Sequence, residues 1–197
     1  MENQCGIILL AAGASSRLGS PKQSLVYGSQ TLLEHSIGTA LGSGAQKTVV
    51  VLGAGATTLQ PAITSDKLSY IENSTWQEGM ASSIRYGLEY ITSHFPAIQN
   101  VLFMACDQPY VSIELLDKLV TLQKETGSPV VASQYSGTTG IPAIFNQLLF
   151  PELMQLKGDR GARKLIAAHH DKVLTVDFPK GAIDIDTGED YRNLLKM

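Results

Sequence analysis

Cysteine is scarce in this sequence, with two residues in a chain of 197, Cys5 and Cys106. Two cysteines so placed provide neither a disulfide framework nor the paired spacing of a zinc site. Basic residues are not in excess either, because 15 Lys and Arg residues stand against 18 Asp and Glu residues. This charge balance argues against nucleic acid or an anionic membrane as the main partner, so a phosphorylated ligand would need locally placed cations.

Long apolar runs are also missing. The apolar run at residues 7–10 is short and no basic segment precedes it, which is unlike a signal peptide. No run approaches the ~20 residues that a membrane-spanning helix requires. Hydrophobic residues nevertheless make up 44% of the chain and charged residues 17%, which favours a substantial core without long disorder. We therefore expect one folded domain over residues 1–197, located in the cytoplasm.

Two familiar nucleotide-binding motifs are absent. Gly13 and Gly19 are not followed by the Gly-Lys-Ser/Thr ending of a Walker A loop. Gly53 and Gly55 follow a predicted strand, but Thr58 stands where a dinucleotide-binding fingerprint has its third glycine. A nicotinamide-dependent oxidoreductase therefore lacks its expected motif and is the weaker alternative.

The chain does contain an alternation of short apolar runs and helical patterns. Strands are expected at residues 7–10, 48–52, 68–72, 101–106, 129–133, 141–145 and 173–178, of which the first two read as buried on both faces. Such alternation predicts an α/β fold with a three-layer, doubly wound, mostly parallel and Rossmann-like sheet. Residues 134–186 break the rhythm, which predicts a small mixed insertion with an antiparallel strand.

A loop of small residues follows the first predicted strand and ends at Lys22. Ligands of such sheets bind beyond the carboxyl ends of the strands, and small residues let backbone N–H groups approach phosphate oxygens closely. Arg17 and Lys22 place two cations in the same loop. The alternative is a tight turn with two solvated cations. The predicted phosphate site comprises Ala11, Ala12, Gly13, Ala14, Ser15, Arg17 and Lys22.

Carboxylates occur at two further predicted strand ends. Asp107 ends the fourth strand, and Asp186 precedes the last helix, on the same side of an expected extended segment as Asp184. Carboxylates at this edge of a sheet are typical ligands of Mg²⁺, which keeps several waters and bridges to phosphates. The alternative at Asp107 is an ordinary turn before Pro109. The alternative at Asp186 is a helix N-terminus with Thr187 as the cap.

Two polar segments contain candidate ligand contacts. Residues that could bind a base or a ribose are Asn73, Gly79, Ser82 and Ser83. Two arginines, Arg160 and Arg163, could grip an anionic acceptor, and we include Asp159 beside them among the acceptor residues. The alternatives are a polar loop before a serine-capped helix and a solvated helix start. We interpret Trp76, which lies in the first segment, as a packing residue.

Together these segments resemble the MobA-like nucleotidyltransferase superfamily, and in particular its molybdenum-cofactor cytidylyltransferases. The superfamily signature is similar to residues 9–22, and Pro-Lys-Gln follows at residues 21–23. Further family motifs match at residues 79–83 (Gly-Met-x-x-Ser), 107–109 (Asp-x-Pro), 140–145 (Gly-x-Pro-x-x-Phe), 158–163 (Gly-Asp-x-Gly-Ala-Arg) and 184–187 (Asp-Ile-Asp-Thr). The resemblance covers nearly the whole chain.

The resemblance implies a Mg²⁺-dependent enzyme that transfers CMP from CTP to the terminal phosphate of molybdopterin and releases pyrophosphate. It implies that Asp107 and Asp186 hold the metal and that Lys22 and Arg17 contact the triphosphate. Lys22, Arg17 and Asp107 are therefore the candidate catalytic residues. The resemblance adds Gly140 and Pro142 to the acceptor residues, and it names a molybdenum hydroxylase or its chaperone as a candidate partner.

One position departs from the family pattern. Ile141 stands where the best-known cofactor cytidylyltransferases have His, a difference that concerns the acceptor and not the triphosphate. Two alternatives stay open. A nucleotidyltransferase for a sugar or polyol phosphate would use the same loop and aspartates. A non-catalytic accessory protein for molybdenum hydroxylase maturation would bind nucleotide or pterin without turnover.

Overall fold

The computed structural model describes residues 5–13, 15, 18–53, 55–159 and 161–196. Within these residues the strands are β1 (Cys5–Ala11), β2 (Val26–Tyr27), β3 (Gln30–Thr31), β4 (Lys47–Leu52), β5 (Leu68–Glu72), β6 (Asn100–Ala105), β7 (Val130–Tyr135), β8 (Thr138–Asn146) and β9 (Val173–Asp177). The helices are α1 (Leu32–Gly42), α2 (Ala56–Leu59), α3 (Met80–His94), α4 (Ile113–Thr126), α5 (Phe150–Leu153), α6 (Gly161–Ala168) and α7 (Gly188–Leu194). None of these helices is long and apolar enough to cross a membrane.

Seven of the strands form one sheet in the order β5-β4-β1-β6-β8-β7-β9, while β2 and β3 form a separate small hairpin. The ladders β5–β4, β4–β1, β1–β6 and β7–β9 are parallel. β8 is antiparallel to both of its neighbours, β6 and β7, so it is the one reversed strand of this sheet. The prediction of a mostly parallel α/β fold is confirmed. The expected antiparallel strand is present, but it lies inside the main sheet and not in a separate insertion.

Both faces of the sheet are covered, which explains the continuous apolar run of β1. Its side chains alternate between the two faces, so Ile7 and Leu9 contact one core cluster and Ile8 contacts the other. The first cluster includes residues of α1 and α4, such as Ile37 and Leu119. The second includes residues of α3 and α6. The predicted three layers are therefore helices, sheet and helices.

Side-chain caps fix where three helices begin. Thr31 and Thr187 each form a capping box, with Glu34 and Asp190 three residues further on. Ser112 accepts a hydrogen bond from a backbone N–H of α4. These caps form between residues that are three positions apart, so their cause is local in the sequence.

The segment before the last helix was predicted wrongly. β9 ends at Asp177, and a short 3₁₀ helix at Pro179–Ala182 follows it, so Asp184 and Asp186 lie in an irregular segment and not at a strand end. Gly181 in this turn is buried, and a side chain there would collide with the rings of Tyr135 and Phe178. The backbone N–H of Ile185 then donates to the carbonyl of Asp107 at 2.9 Å, which fixes the segment beside β6.

Two helix glycines differ in their surroundings and provide a test of the packing. A Cβ atom at Gly87 in α3 would lie 2.6 Å from Cγ2 of Ile8, whereas one at Gly38 in α1 would meet nothing within 4 Å. We expect Gly38→Ala to raise the free energy of unfolding by up to about 1 kcal/mol, because alanine favours the helix. Gly87→Ala should lower it by about 1–2 kcal/mol, since overpacking outweighs the same gain. Denaturant unfolding measures both, and equal shifts would contradict the close contact of α3 with the sheet.

Candidate active site

The site forms at the edge of the sheet where the parallel strands end. The glycine-rich loop leaves β1, the segment with Asn73 leaves β5, and Asp107 follows β6. Because parallel strands present their carboxyl ends on the same side, these three segments lie at one edge. The bond between Ile185 and Asp107 adds the segment that carries Asp184 and Asp186.

An ion cluster lies at this edge. The Nζ atom of Lys22 is 2.6 Å from Oδ2 of Asp107 and 3.0 Å from Oδ1 of Asp186. Burial by itself lowers the pKa of Lys22, but the charge and hydrogen bond of Asp107, together with Asp186, raise it above its ordinary value. Lys22 is therefore a cation held between two carboxylates. Its backbone N–H also donates to Oγ of Ser15 at 2.9 Å.

Asp184 stands close to the same charges. Partial burial of its carboxyl group and then repulsion from Asp107 and Asp186 raise the pKa of Asp184 to about 6. The convergence of carboxylates on one ammonium group shows that the position accommodates positive charge. This donor set fits a divalent cation that takes its remaining ligands from water and phosphate. In the described ranges, no cluster of three or more His, Cys, Asp or Glu side chains is arranged to hold a metal alone.

The loop is held from the inside by Gln23, to which we assigned no role from the sequence. Gln23 is 3% exposed, and its Nε2 atom donates to the carbonyl oxygens of Ala11 at 2.6 Å and of Gly13 at 3.3 Å. Gly53 supports the loop from the other side, because a Cβ atom there would lie 2.6 Å from the carbonyl oxygen of Ala12. Gly53 thus serves a close backbone approach. The only feature of the sequence that could have indicated a role for Gln23 was its position next to Lys22.

Two cavities open at this edge. The loop cavity, of about 340 Å³, is lined by the β1 loop and by the turn before α3, including Gly13, Lys22, Trp76 and Ser83. The helix cavity, of about 630 Å³, extends towards α6 and β8 and is lined by Tyr135, Gly140, Arg163 and Asp184 among others. The two cavities share Met80, Ala105, Asp107 and Asp159. Asp107 therefore lies where a ligand in one cavity would meet a ligand in the other.

The residues predicted to bind a base divide into two groups. Gly79 and Ser83 line the loop cavity. Asn73 and Ser82 are fully buried behind it: the Nδ2 atom of Asn73 donates to Oγ of Ser82 at 2.8 Å and of Ser83 at 3.0 Å. Oγ of Ser82 donates to the carbonyl of Gly79 at 2.9 Å. These bonds hold the turn together, and direct contact of Asn73 or Ser82 with a nucleotide stays a prediction.

The predicted acceptor residues also divide. Gly140, Asp159 and Arg163 line the helix cavity. Pro142 is buried in β8, where its carbonyl accepts a hydrogen bond from Ser133 at 2.7 Å. Three residues of the predicted site lie outside the described residues, namely Ala14, Arg17 and Arg160.

Cys106 borders the loop cavity. The thiol is buried, and desolvation, followed by the nearby charge of Asp107, raises its pKa to about 12. A thiol with such a pKa is not a nucleophile near neutral pH. Its contribution is to packing, as the sequence indicated.

A mostly parallel sheet with a small-residue loop, and a lysine–carboxylate cluster whose Asp107 borders two cavities, is typical of an α/β protein of the nucleotide-transferring class. The MobA-like NTP transferase domain family matches residues 7–173. The chain belongs to that family, and the predicted resemblance to the superfamily is confirmed.

Named relatives cover nearly the whole chain. The chain is 29% identical over 199 residues to nicotine blue oxidoreductase of Paenarthrobacter nicotinovorans, covering 96% of this chain and 93% of that protein. It is 28% identical over 196 residues to the purine catabolism protein PucB of Bacillus subtilis, covering 93% and 92%. The crystal structure of Rv0371c from Mycobacterium tuberculosis has a TM-score of 0.84 at 29% identity, with full coverage of both chains. The same mycobacterial protein is also known in complex with manganese, with a TM-score of 0.79, 27% identity and 98% coverage of each chain.

Removal of the central cation tests the ion cluster. We expect Lys22→Ala to lower the free energy of unfolding by about 1–3 kcal/mol, because partly buried carboxylates lose their counter-charge. Mg²⁺ should restore part of this loss by binding to the folded state. Denaturant unfolding with and without Mg²⁺ measures both effects.

Lys47→Ala is the matched control. Lys47 is also buried, but its Nζ atom donates to the carbonyl of Asp66 and not to a carboxylate. The decrease in the free energy of unfolding caused by Lys47→Ala should be the same with and without Mg²⁺. Adding Asp107→Asn to Lys22→Ala should recover stability, and a further loss in that double variant would contradict charge repulsion as the cause.

Proposed function

We propose that residues 1–197 act as one nucleotidyltransferase domain that transfers CMP from CTP to the terminal phosphate of molybdopterin carrying molybdenum, and releases pyrophosphate. The observation that carries the proposal is the position of Asp107 and Asp159 at the junction of the loop cavity and the helix cavity. A transferase must bring a nucleotide and an acceptor together at one point, and two cavities that share these residues provide such a point.

The triphosphate would bind in the loop cavity. The ammonium group of Lys22 offers the compact positive charge that phosphate oxygens require. Backbone amides of Ala11, Ala12, Gly13, Ala14 and Ser15 and the guanidinium of Arg17 complete the proposed phosphate contacts. The Ala11-Ala12-Gly13 sequence supports CTP, since family loops of this form accompany pyrimidine nucleotides.

The acceptor phosphate would attack the α-phosphorus of CTP, and pyrophosphate would leave on the opposite side. A phosphate monoester is already anionic near neutral pH, so the site needs no strong general base. Catalysis then rests on positioning and on neutralising charge. Lys22 stabilises the charge that develops on pyrophosphate. Asp107 and Asp186 would hold Mg²⁺, which neutralises phosphate charge when it is bound.

The acceptor would lie in the helix cavity. Its proposed contacts are Gly140, Pro142, Asp159, Arg160 and Arg163, and the size of the cavity, about 630 Å³, supports a ring system with a phosphate arm. Ile141 lines this cavity in place of the family's His. Delivery of the product to a molybdenum hydroxylase or its chaperone, in the cytoplasm, is part of the same proposal.

Pyrophosphate release tests the reaction. We expect release with CTP and molybdenum cofactor, abolished by EDTA and restored by Mg²⁺, and slower release with GTP, ATP and UTP. Oxidation of NADH and NADPH is measured separately, because one relative is named an oxidoreductase. Asp107→Asn should lower kcat by about 100-fold or more, since it weakens the proposed site of the Mg²⁺ ion that would neutralise charge on the reacting phosphates.

Asp117→Asn is the control for that variant, because Asp117 on α4 contacts the backbone of Gly44 and lines neither cavity. Its kcat should be unchanged. Normal turnover in Asp107→Asn would overturn the role of Asp107. Release with a sugar or polyol phosphate, but not with the cofactor, would replace the acceptor and keep the reaction class. CTP binding without turnover would favour an accessory protein.

Arg163 tests which cavity holds the acceptor. We expect Arg163→Met to raise KM for the acceptor by about 10-fold or more, because a charge-assisted hydrogen bond to its phosphate is lost. KM for CTP should change by less than about twofold, which is a smaller effect than the loss of one hydrogen bond to a charged group would produce. Arg192→Met on α7 is the control, since Arg192 is exposed and lines neither cavity. A rise in KM for CTP instead would assign the helix cavity to the nucleotide.

A further inference from the structure

Trp76 is the single tryptophan of the chain, and the structure places it outside the core. It begins a 3₁₀ turn at Trp76–Glu78, between β5 and α3, and remains partly exposed. The described residues form three buried apolar clusters, and Trp76 is neither a member of them nor among the partly buried side chains packed against them. The expectation that Trp76 is a packing residue therefore needs revision.

The indole ring also makes no aromatic or cation–π contact with another described residue. Across the residues that the structure describes, the aromatic contacts and the cation–π contacts involve other rings. Tryptophan has the largest apolar face of the side chains and normally buries it against protein or ligand. A partly exposed indole that contacts no other ring of the described residues is thus available to a ligand.

Its location indicates which ligand. Trp76 lines the loop cavity together with Gly13, Lys22 and Ser83, and it does not line the helix cavity. The phosphate side of the loop cavity is already defined by Lys22 and the backbone of the β1 loop. An aromatic wall in the same cavity leaves room for the uncharged, planar part of a nucleotide.

The turn that carries Trp76 is held in place before any ligand arrives. Oδ1 of Asn73 accepts hydrogen bonds from the backbone N–H of Thr75 at 2.9 Å and from its hydroxyl at 3.1 Å. Gly79 ends the turn with a φ of 97°, a conformation that other residues rarely adopt. Little conformational freedom is then lost at Trp76 on binding, which favours affinity.

We propose that the indole of Trp76 is the surface on which the nucleobase of the nucleoside triphosphate stacks. The inference rests on the proposed function and adds the base subsite to it. Every base has a π-face, so stacking contributes affinity without choosing among bases. Trp76 therefore binds cytosine and the other bases alike, and selection among nucleotides belongs to other groups in the cavity.

Intrinsic fluorescence gives a direct readout, because Trp76 is the sole source of tryptophan emission. CTP with Mg²⁺ should change the emission with a saturable dependence that matches the binding constant from calorimetry. Inorganic tripolyphosphate occupies the phosphate loop without a base and should leave the emission nearly unchanged. An equal response to both ligands would indicate loop ordering instead of stacking and would overturn the inference.

Substitution gives the energetic test. Trp76→Leu should weaken CTP binding by about 10-fold or more, the loss typical of one base–aromatic stack, while Trp76→Phe should retain most of the affinity. The loss should be similar for CTP, GTP, ATP and UTP and absent for tripolyphosphate. Tyr86→Leu is the matched control, since Tyr86 is a nearby aromatic residue of α3 that lines neither cavity.

The outcomes separate the two proposals. If CTP binds the unaltered protein, and Trp76→Leu binds it equally well, the stacking inference is wrong and the nucleotidyltransferase proposal stands. If the unaltered protein binds no nucleoside triphosphate by calorimetry, both proposals are wrong. A tenfold loss with CTP and none with tripolyphosphate supports the base subsite.

Discussion

The ion cluster of Lys22, Asp107 and Asp186 is the interaction on which the site depends. It joins residues that are 85 and 164 positions apart in the chain, so it forms only when the β1 loop, the end of β6 and the C-terminal segment have met. Desolvation and then the charges of Asp107 and Asp186 raise the pKa of Asp184, so the carboxylates at this edge disfavour a further negative charge. Lys22 offsets that repulsion. A ligand that brings both phosphate and a divalent cation could engage the lysine and the carboxylates at once.

Buried polar side chains form hydrogen bonds to the segments that line the loop cavity. The amide of Asn73 unites Ser82, Ser83 and Thr75, and the amide of Gln23 fixes two carbonyls of the loop. Such groups are costly to bury unless they are hydrogen-bonded, and the bonds named here satisfy the amide of Asn73 and the Nε2 atom of Gln23, whereas Oε1 of Gln23 has no partner among the described residues. The walls of the loop cavity are consequently shaped before a ligand binds, as positioning catalysis requires.

Several elements were predictable because their causes are local. Continuous apolar runs indicated strands buried on both faces, and Thr187 was named as the cap of the last helix, where the structure shows a capping box. Asp107 was placed correctly at the carboxyl end of a strand. The C-terminal segment was misplaced because contacts far away in sequence determine it: Gly181 fits under Tyr135, and Ile185 bonds to Asp107. Local pattern carries no information about such contacts.

The sequence alone therefore determined the class of fold, the small-residue loop after β1 and the position of Asp107 at the sheet edge, because hydrophobic period, small residues and charge act over a few positions. Tertiary structure alone decided three things. It placed β8 between β6 and β7 and Lys22 between Asp107 and Asp186. It also placed Trp76 outside the core clusters, where it lines the loop cavity. Each depends on which distant segments pack together, and the free energy of that packing is a property of the whole chain.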